Sequence, residues 1–126
     1  MKRGLHIDDS YTIYQIIASA GATMDMEFLH AADGESGLEI LEEFYADLSV
    51  IILDYNMPGM NGLEVLEKIK ENSAYRNIPV MMLTSESDAN LVMECIKLGA
   101  ANYLNKPFSQ EDLVSKLMSL QGEAPW

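Results

Sequence analysis

Five short apolar runs recur along the chain, at residues 5–7, 27–31, 50–53, 80–83 and 101–104. Between them apolar residues return every three or four positions: Ile13, Ile16, Ile17 and Ala20; Leu38, Leu41 and Phe44 with Tyr45; Leu63, Val65, Leu66 and Ile69; Leu91, Cys95 and Leu98; Leu113, Leu117 and Leu120. The short runs predict strands and the longer periodic stretches predict helices. Runs 50–53 and 80–83 are apolar throughout, as strands covered on both faces are. Run 27–31 contains Glu27 and His30, which suits an edge strand. Ser36 with Glu39 and Ser109 with Asp112 have capping-box spacing, and Asn61 is placed as an N-cap. Gly21, Gly34 and Gly99 read as turn punctuation. Regular alternation of strand and helix predicts an α/β domain of (βα)5 form, a doubly wound parallel sheet covered by helices on both faces. One domain spans residues 1–126, without repeat, low-complexity tract or linker. The closing "QGEAPW" is expected to fray.

Composition changes this picture in three places. A chain of 126 residues buries a core without covalent staples. Its single cysteine, Cys95, has no internal disulfide partner, lies in a helical pattern and reads as a buried structural thiol in a reducing compartment. No apolar run approaches the ~20 residues of a membrane span and no signal peptide opens the sequence, so a cytoplasmic protein without membrane contact is expected. The formal net charge of −12 argues against this domain gripping nucleic acid directly. It also raises the question of whether some of the carboxylates converge where a cation is needed.

The residues that follow each run bear on that question. Asp8 and Asp9 follow the first, Asp54 the third, Thr84 and Ser85 the fourth, Asn105 and Lys106 the fifth. The strands of an open parallel sheet share one carboxyl edge, where ligands bind, so these groups should meet in one cleft. Three carboxylates in one cleft repel one another and raise a pKa unless a cation offsets them. Mg²⁺ suits a few carboxylates, water and a phosphate oxygen. With Lys106 as a second positive charge and Thr84 as a donor, the set matches what phosphoryl transfer requires. A carboxylate can itself be the nucleophile, giving an aspartyl phosphate. Singly, Asp8 and Asp9 also fit helix caps and Asp54 a turn; in phase with Thr84 and Lys106 they read as a site. His6, between Leu5 and Ile7 within a strand, reads as a satisfied core or near-surface histidine, and His30 likewise. On the last two helices Val92 and Ile96, and Val114 and Met118, make the apolar stripes wider than one face needs. That strip is a candidate partner surface, with deeper burial as the rival reading.

The chain resembles the receiver domains of two-component response regulators over essentially its whole length. The likeness rests on "DD" at 8–9, Asp54, "MPGMNG" at 57–62, Thr84 and "KP" at 106–107, each at a strand end. Asn56 two residues after Asp54, Glu86 two after Thr84, and Tyr103 in the last strand resemble the chemotaxis-type, single-domain receivers. The resemblance implies a flavodoxin-like sheet of order 2-1-3-4-5. It implies that Asp54 takes a phosphoryl group from the phosphohistidine of a sensor histidine kinase or a phosphotransfer protein. Asp9, Asp54 and the Asn56 carbonyl would ligate Mg²⁺, with Asp8 acting through water or assisting. Thr84 and Lys106 would bond the phosphoryl oxygens, Asn56 and Glu86 would tune the lifetime of the phosphorylated state, and Lys106–Pro107 would be a cis peptide. Thr84 and Tyr103 would switch the surface of the fourth helix, last strand and last helix for an effector, a fused output domain or a second copy. Such a domain is no enzyme toward other substrates; it catalyses only its own phosphorylation and dephosphorylation. The first strand, with His6, departs from the family's more usual aliphatic run.

Three other classes compete. A flavodoxin-type cofactor binder needs a Ser/Thr/Gly-rich cradle after the first strand, where this chain has the anionic "DDSY". A haloacid-dehalogenase-type hydrolase would usually carry "DxD" after the first strand and a cap domain, whereas here the candidate nucleophile ends the third strand. A degenerate receiver that only binds partners would be expected to have lost Asp54, Thr84 or Lys106. The sequence identifies neither kinase, signal nor output, and both a free-standing regulator and the receiver of a longer protein fit it.

Overall fold

The structure, a computed structural model, describes residues 2–85 and 89–121. Its elements run β1 (Lys2–Ile7), α1 (Tyr11–Thr23), β2 (Met26–Ala31), α2 (Gly34–Phe44), a single 3₁₀ turn (Tyr45–Asp47), β3 (Leu48–Asp54), α3 (Gly62–Glu71), β4 (Val80–Thr84), α4 (Ala89–Lys97), β5 (Asn102–Asn105) and α5 (Gln110–Leu120). All strand pairs are parallel and the order is β2-β1-β3-β4-β5, which makes β2 an edge strand and centres the apolar β3. This is the doubly wound, flavodoxin-like sheet.

Alternation along the strands sorts the core into two layers. Leu5, Ile7, Ile51, Leu53, Val80 and Met82 face Leu41 of α2, Val65, Leu66 and Ile69 of α3 and Cys95 of α4. Val50, Ile52, Met81, Leu83 and Leu104 face Ile17 and Ala20 of α1 and Leu113 and Leu117 of α5. Cys95 is buried and free, as its helical position predicts. Burying one such aliphatic side chain is worth about 1.5–3 kcal/mol, so helices on both faces hold the strands in register.

Local signals account for most element limits. Asn61 and Glu64 form a reciprocal capping box at the start of α3, and Ser109 Oγ accepts from the Asp112 amide at the start of α5. Two expectations are corrected. The cap of α2 is Asp33, whose Oδ1 accepts from the Ser36 amide at 2.8 Å, rather than Ser36 with Glu39. Gly21 lies inside α1, not in a turn: a Cβ there would come within 2.7 Å of the Met26 carbonyl oxygen, so the residue serves helix–strand approach. Gly99, at φ +107°, is the turn residue expected.

Candidate functional site

Four of the five strands, β1, β3, β4 and β5, deliver a polar group to the carboxyl edge. β3 is apolar from Val50 to Leu53 and ends on Asp54, a residue only 2% exposed at the rim. β1 ends one residue before Asp8, which is fully buried, while Asp9 beside it is exposed. Carboxylate oxygens of Asp8, Asp9 and Asp54 lie within 4.8 Å of one another. Lys106 reaches in from the residue after β5, its Nζ 3.0 Å from Asp54 Oδ1 and 3.3 Å from Asp8 Oδ2. The Lys106 amide donates to the Thr84 carbonyl at 2.8 Å, and the Lys106–Pro107 peptide is cis, as the resemblance implied. Thr84 itself is buried at the end of β4. Asn56 is exposed in the loop that follows Asp54. Glu86 lies outside the described residues.

The carboxylates are not equivalent. Burial raises the Asp54 pKa to about 6; the Lys106 ammonium pulls it down and the Asp8 charge pushes it further up. Burial also opposes ionisation of Asp8, but His6, the Ser10 amide donating to Oδ1 at 3.0 Å, and Lys106 outweigh it and hold Asp8 well below the usual carboxylate range. Asp8 is therefore the firmly ionised partner, and Asp54 is the acid whose charge is poorly compensated. The donor set is hard oxygen, anionic and partly exposed through Asp9, which fits a small divalent cation.

The backbone around Asp54 is tightly built. The Tyr55 amide donates to the Leu83 carbonyl and the Gly62 amide to the Tyr55 carbonyl, each at 2.9 Å. These bonds draw the start of α3 against the end of β3.

The two histidines are bland by sequence, and here the structure adds a contact. His6 is fully buried, but neither ring nitrogen makes a hydrogen bond, so it is core without being satisfied. Its Nε2 lies 3.4 Å from Asp8 Oδ2. His30 is half-buried, its Nε2 2.9 Å from the Asp8 carbonyl oxygen. A signal for the contact exists in the sequence: residues two apart at the end of a strand share a face, and His6 and Asp8 are two apart.

Away from the carboxylates, Tyr103 is half-buried on β5, with Lys116 Nζ 5.6 Å from its ring centroid. A shallow pocket of about 260 Å³ is lined by Ala89, Val92, Met93, Tyr103 and Asn105. On α4, Ile96 is 42% and Met93 55% exposed, and on α5 Val114 and Met118 are half-buried beside a groove. The stripes of the last two helices are thus only partly covered.

Likenesses to known proteins bear on this geometry. The family model for the response regulator receiver domain matches residues 5–118. Chemotaxis protein CheY1 of Helicobacter pylori is 36% identical over 94% of this chain and 95% of its own. The crystal structure of Vibrio cholerae chemotaxis response regulator CheY4 superposes with a TM-score of 0.87 at 34% identity, covering 95% of this chain and 98% of that one. The CheX–CheY–BeF3–Mg complex from Borrelia burgdorferi is similar with a TM-score of 0.89 at 26% identity, covering 95% of this chain and 89% of that one.

Proposed function

Because this chain belongs to the response regulator receiver domain family, we propose that Asp54 accepts a phosphoryl group from the phosphohistidine of a partner kinase or phosphotransfer protein. The observation that carries this is a buried carboxylate of raised pKa, 3.0 Å from a lysine ammonium and within 4.8 Å of two further aspartates. The ionised Asp54 oxygen forms the new O–P bond, and the N–P bond of the donor breaks with its electron pair leaving on the imidazole. Lys106 moves from the carboxylates to a phosphoryl oxygen, and the Thr84 hydroxyl donates to another. Asp9, Asp54 and the Asn56 carbonyl would hold Mg²⁺, with Asp8 acting through water. Mg²⁺ held there would supply positive charge against the phosphoryl oxygens, which the side chains alone supply only in part. The reaction modifies only the domain itself, and hydrolysis of the aspartyl phosphate to inorganic phosphate is tuned by Asn56 and Glu86, the pair the family resemblance singles out.

Incubation of the chain with Mg²⁺ and a small acyl phosphate should add one phosphoryl group by intact mass, and EDTA should prevent it. An unchanged mass in Mg²⁺ would overturn the assignment. Asp9→Ala should mainly weaken Mg²⁺ affinity, read from amide shifts of residues 8, 9 and 54 during titration. Unchanged affinity would remove Asp9 from the ligand set.

The output follows from added charge. A phosphoryl group brings roughly −1.5 to −2 charges and new acceptors beside Thr84. Movement of the Thr84 hydroxyl toward them vacates space next to β5, where Tyr103 is half-buried. The Tyr103 ring then packs inward and reshapes the pocket it shares with Val92 and Met93 of α4. The α4-β5-α5 face is on this reading the surface for an effector protein, a fused output domain or a second copy. Beryllofluoride with Mg²⁺, which mimics the phosphoryl group, should shift the amides of residues 90–120 and change the Tyr103 rotamer. If the mimic occupies Asp54 while both stay unchanged, the signal leaves by another surface. Neither nucleic acid nor membrane is a direct partner on this reading; no helix among the described residues is long and apolar enough to cross a bilayer.

A further inference from the structure

The His6 imidazole occupies an expensive position. It is fully buried near the end of β1, with both ring nitrogens lacking hydrogen bonds. A buried ring nitrogen without a well-formed hydrogen bond is unfavourable, and an aliphatic side chain there would carry no such penalty. The ring is also held firmly in place. It lies nearly parallel to the Tyr14 ring, at 9° and 6.1 Å between centroids, and stacks on His30 at 5.3 Å. Tyr14 stacks on His30 at 4.6 Å and anchors its hydroxyl on the Phe28 carbonyl at 3.1 Å. His30 Nε2 in turn meets the Asp8 carbonyl at 2.9 Å; a carbonyl only accepts, so that nitrogen carries the proton. The backbone of Asp8 and the plane of His6 are thus fixed by one cluster of three mutually packed rings.

From that fixed plane His6 Nε2 stands 3.4 Å from Asp8 Oδ2, a few tenths of an ångström beyond a well-formed hydrogen bond. The same oxygen takes Lys106 Nζ at 3.3 Å, and that lysine is shared with Asp54. Lys106 sits on a flexible stem, and a phosphoryl group on Asp54 would draw it away. Asp8, fully buried, would then lose a cationic donor and retain the Ser10 amide on its other oxygen.

We propose that His6 is a positioning residue for the cation site: its ring, donating from Nε2, helps Lys106 hold Oδ2 of the Asp8 carboxylate and holds that oxygen alone when Lys106 leaves for the phosphoryl group. The inference rests on the receiver chemistry proposed above and adds a residue to it. His6 touches neither phosphoryl group nor metal; it fixes the direction in which Asp8 presents its free lone pairs. Partners of direct metal ligands are typically worth 10- to 100-fold in metal affinity; His6, which orients a carboxylate that holds the ion through water, belongs at the bottom of that range.

The test uses the full chain and Mg²⁺ alone, followed by amide shifts at residues 8, 9 and 54. His6→Leu, which keeps an apolar volume without a donor, should weaken Mg²⁺ affinity about tenfold. His6→Gln, whose side-chain amide can donate to Asp8, should recover most of that loss, which a purely space-filling role would not produce. Wild-type protein that binds Mg²⁺ with His6→Leu binding equally well overturns this inference alone. Wild-type protein that binds no Mg²⁺ overturns the receiver chemistry and this inference with it. Should His6→Leu fail to fold, the ring itself decides: with Mg²⁺ and beryllofluoride bound, long-range ¹H–¹⁵N spectra of the wild type should place the His6 proton on Nε2. A bare Nε2 in that state overturns the proposal.

Discussion

Asp54→Asn, incubated with Mg²⁺ and a small acyl phosphate, gains no phosphoryl group, while the wild-type chain gains one. The amide matches the carboxylate in shape but has no nucleophilic oxygen of comparable basicity, so the loss is complete rather than graded. The same substitution should stabilise the metal-free protein at pH 7. Burial raises the Asp54 pKa to about 6, so the fold holds this proton more tightly than the unfolded chain does. Stability from this group is therefore fully present below the ordinary carboxylate range and is lost as pH rises through about 6. At pH 7 the ionised carboxylate costs the fold on the order of 2 kcal/mol, which asparagine avoids. Asp8 runs the other way: its lowered pKa contributes stability above the ordinary range that is lost on acidification. Denaturant unfolding in EDTA should show the gain from Asp54→Asn at pH 7 and a much smaller one at pH 4.5. Saturating Mg²⁺ should close the gap by stabilising the wild type. Equal labelling of variant and wild type, or no gain at pH 7, would contradict the assignment of Asp54 as a strained acceptor.

Gly62→Ala should be the most damaging methyl group that can be added near the site. A Cβ at Gly62 would fall 2.6 Å from the Asp54 carbonyl oxygen and 2.7 Å from the Tyr55 Cα, both backbone atoms, with Met82 Cε at 3.0 Å. A side chain can swing aside, but here the start of α3 must separate from the end of β3. The Gly62 amide bond to the Tyr55 carbonyl lengthens with it. Overpacking of this kind costs about 1–3 kcal/mol and occasionally more, and the upper end is expected where backbone must yield. Because the displaced atoms belong to Asp54 and its neighbour, phosphoryl uptake should slow even in the fraction that remains folded. Equilibrium unfolding and labelling rate on the same sample measure both. Gly59, with φ +76° and nothing within 4 Å of a Cβ, is the control: alanine there meets backbone strain alone and should leave the labelling rate intact.

Fold and site are legible in the sequence to different depths, for physical reasons. β3 and β4 are covered on both faces, so their apolar runs are unbroken and their ends are sharp; Asp54 and Thr84 stand out because charge or hydroxyl follows without transition. The edge strand β2 is recognisable from Glu27 and His30, which an edge tolerates. The α2 cap is ambiguous because "DGES" offers two candidate caps three residues apart, and only tertiary placement selects Asp33. Gly21 misleads because a glycine needed for close packing is indistinguishable in sequence from one needed for a turn. The carboxylates, threonine and lysine can be found because strand ends in a parallel sheet converge whatever lies between them. His6 reads as bland because its neighbours are apolar; its spacing from Asp8 hints at their contact, but the cluster of rings from β1, β2 and α1 that holds it is encoded by no local pattern.

Lys106 bonds Asp8 across 98 residues of sequence. That separation has a consequence for biosynthesis. A nascent chain displays Asp8, Asp9 and Asp54 long before the ammonium that offsets them has emerged. Contacts this remote in sequence are also the slowest to form, since the loop must close before it is rewarded. Partly made or partly folded chains therefore carry the acidic cluster without its counter-charge, and mutual repulsion keeps the carboxyl edge of β1 and β3 open to water. If Asp54 is the phosphoryl acceptor proposed above, competence to accept arrives only once nearly the whole chain is in place, and unfinished copies should take up no label.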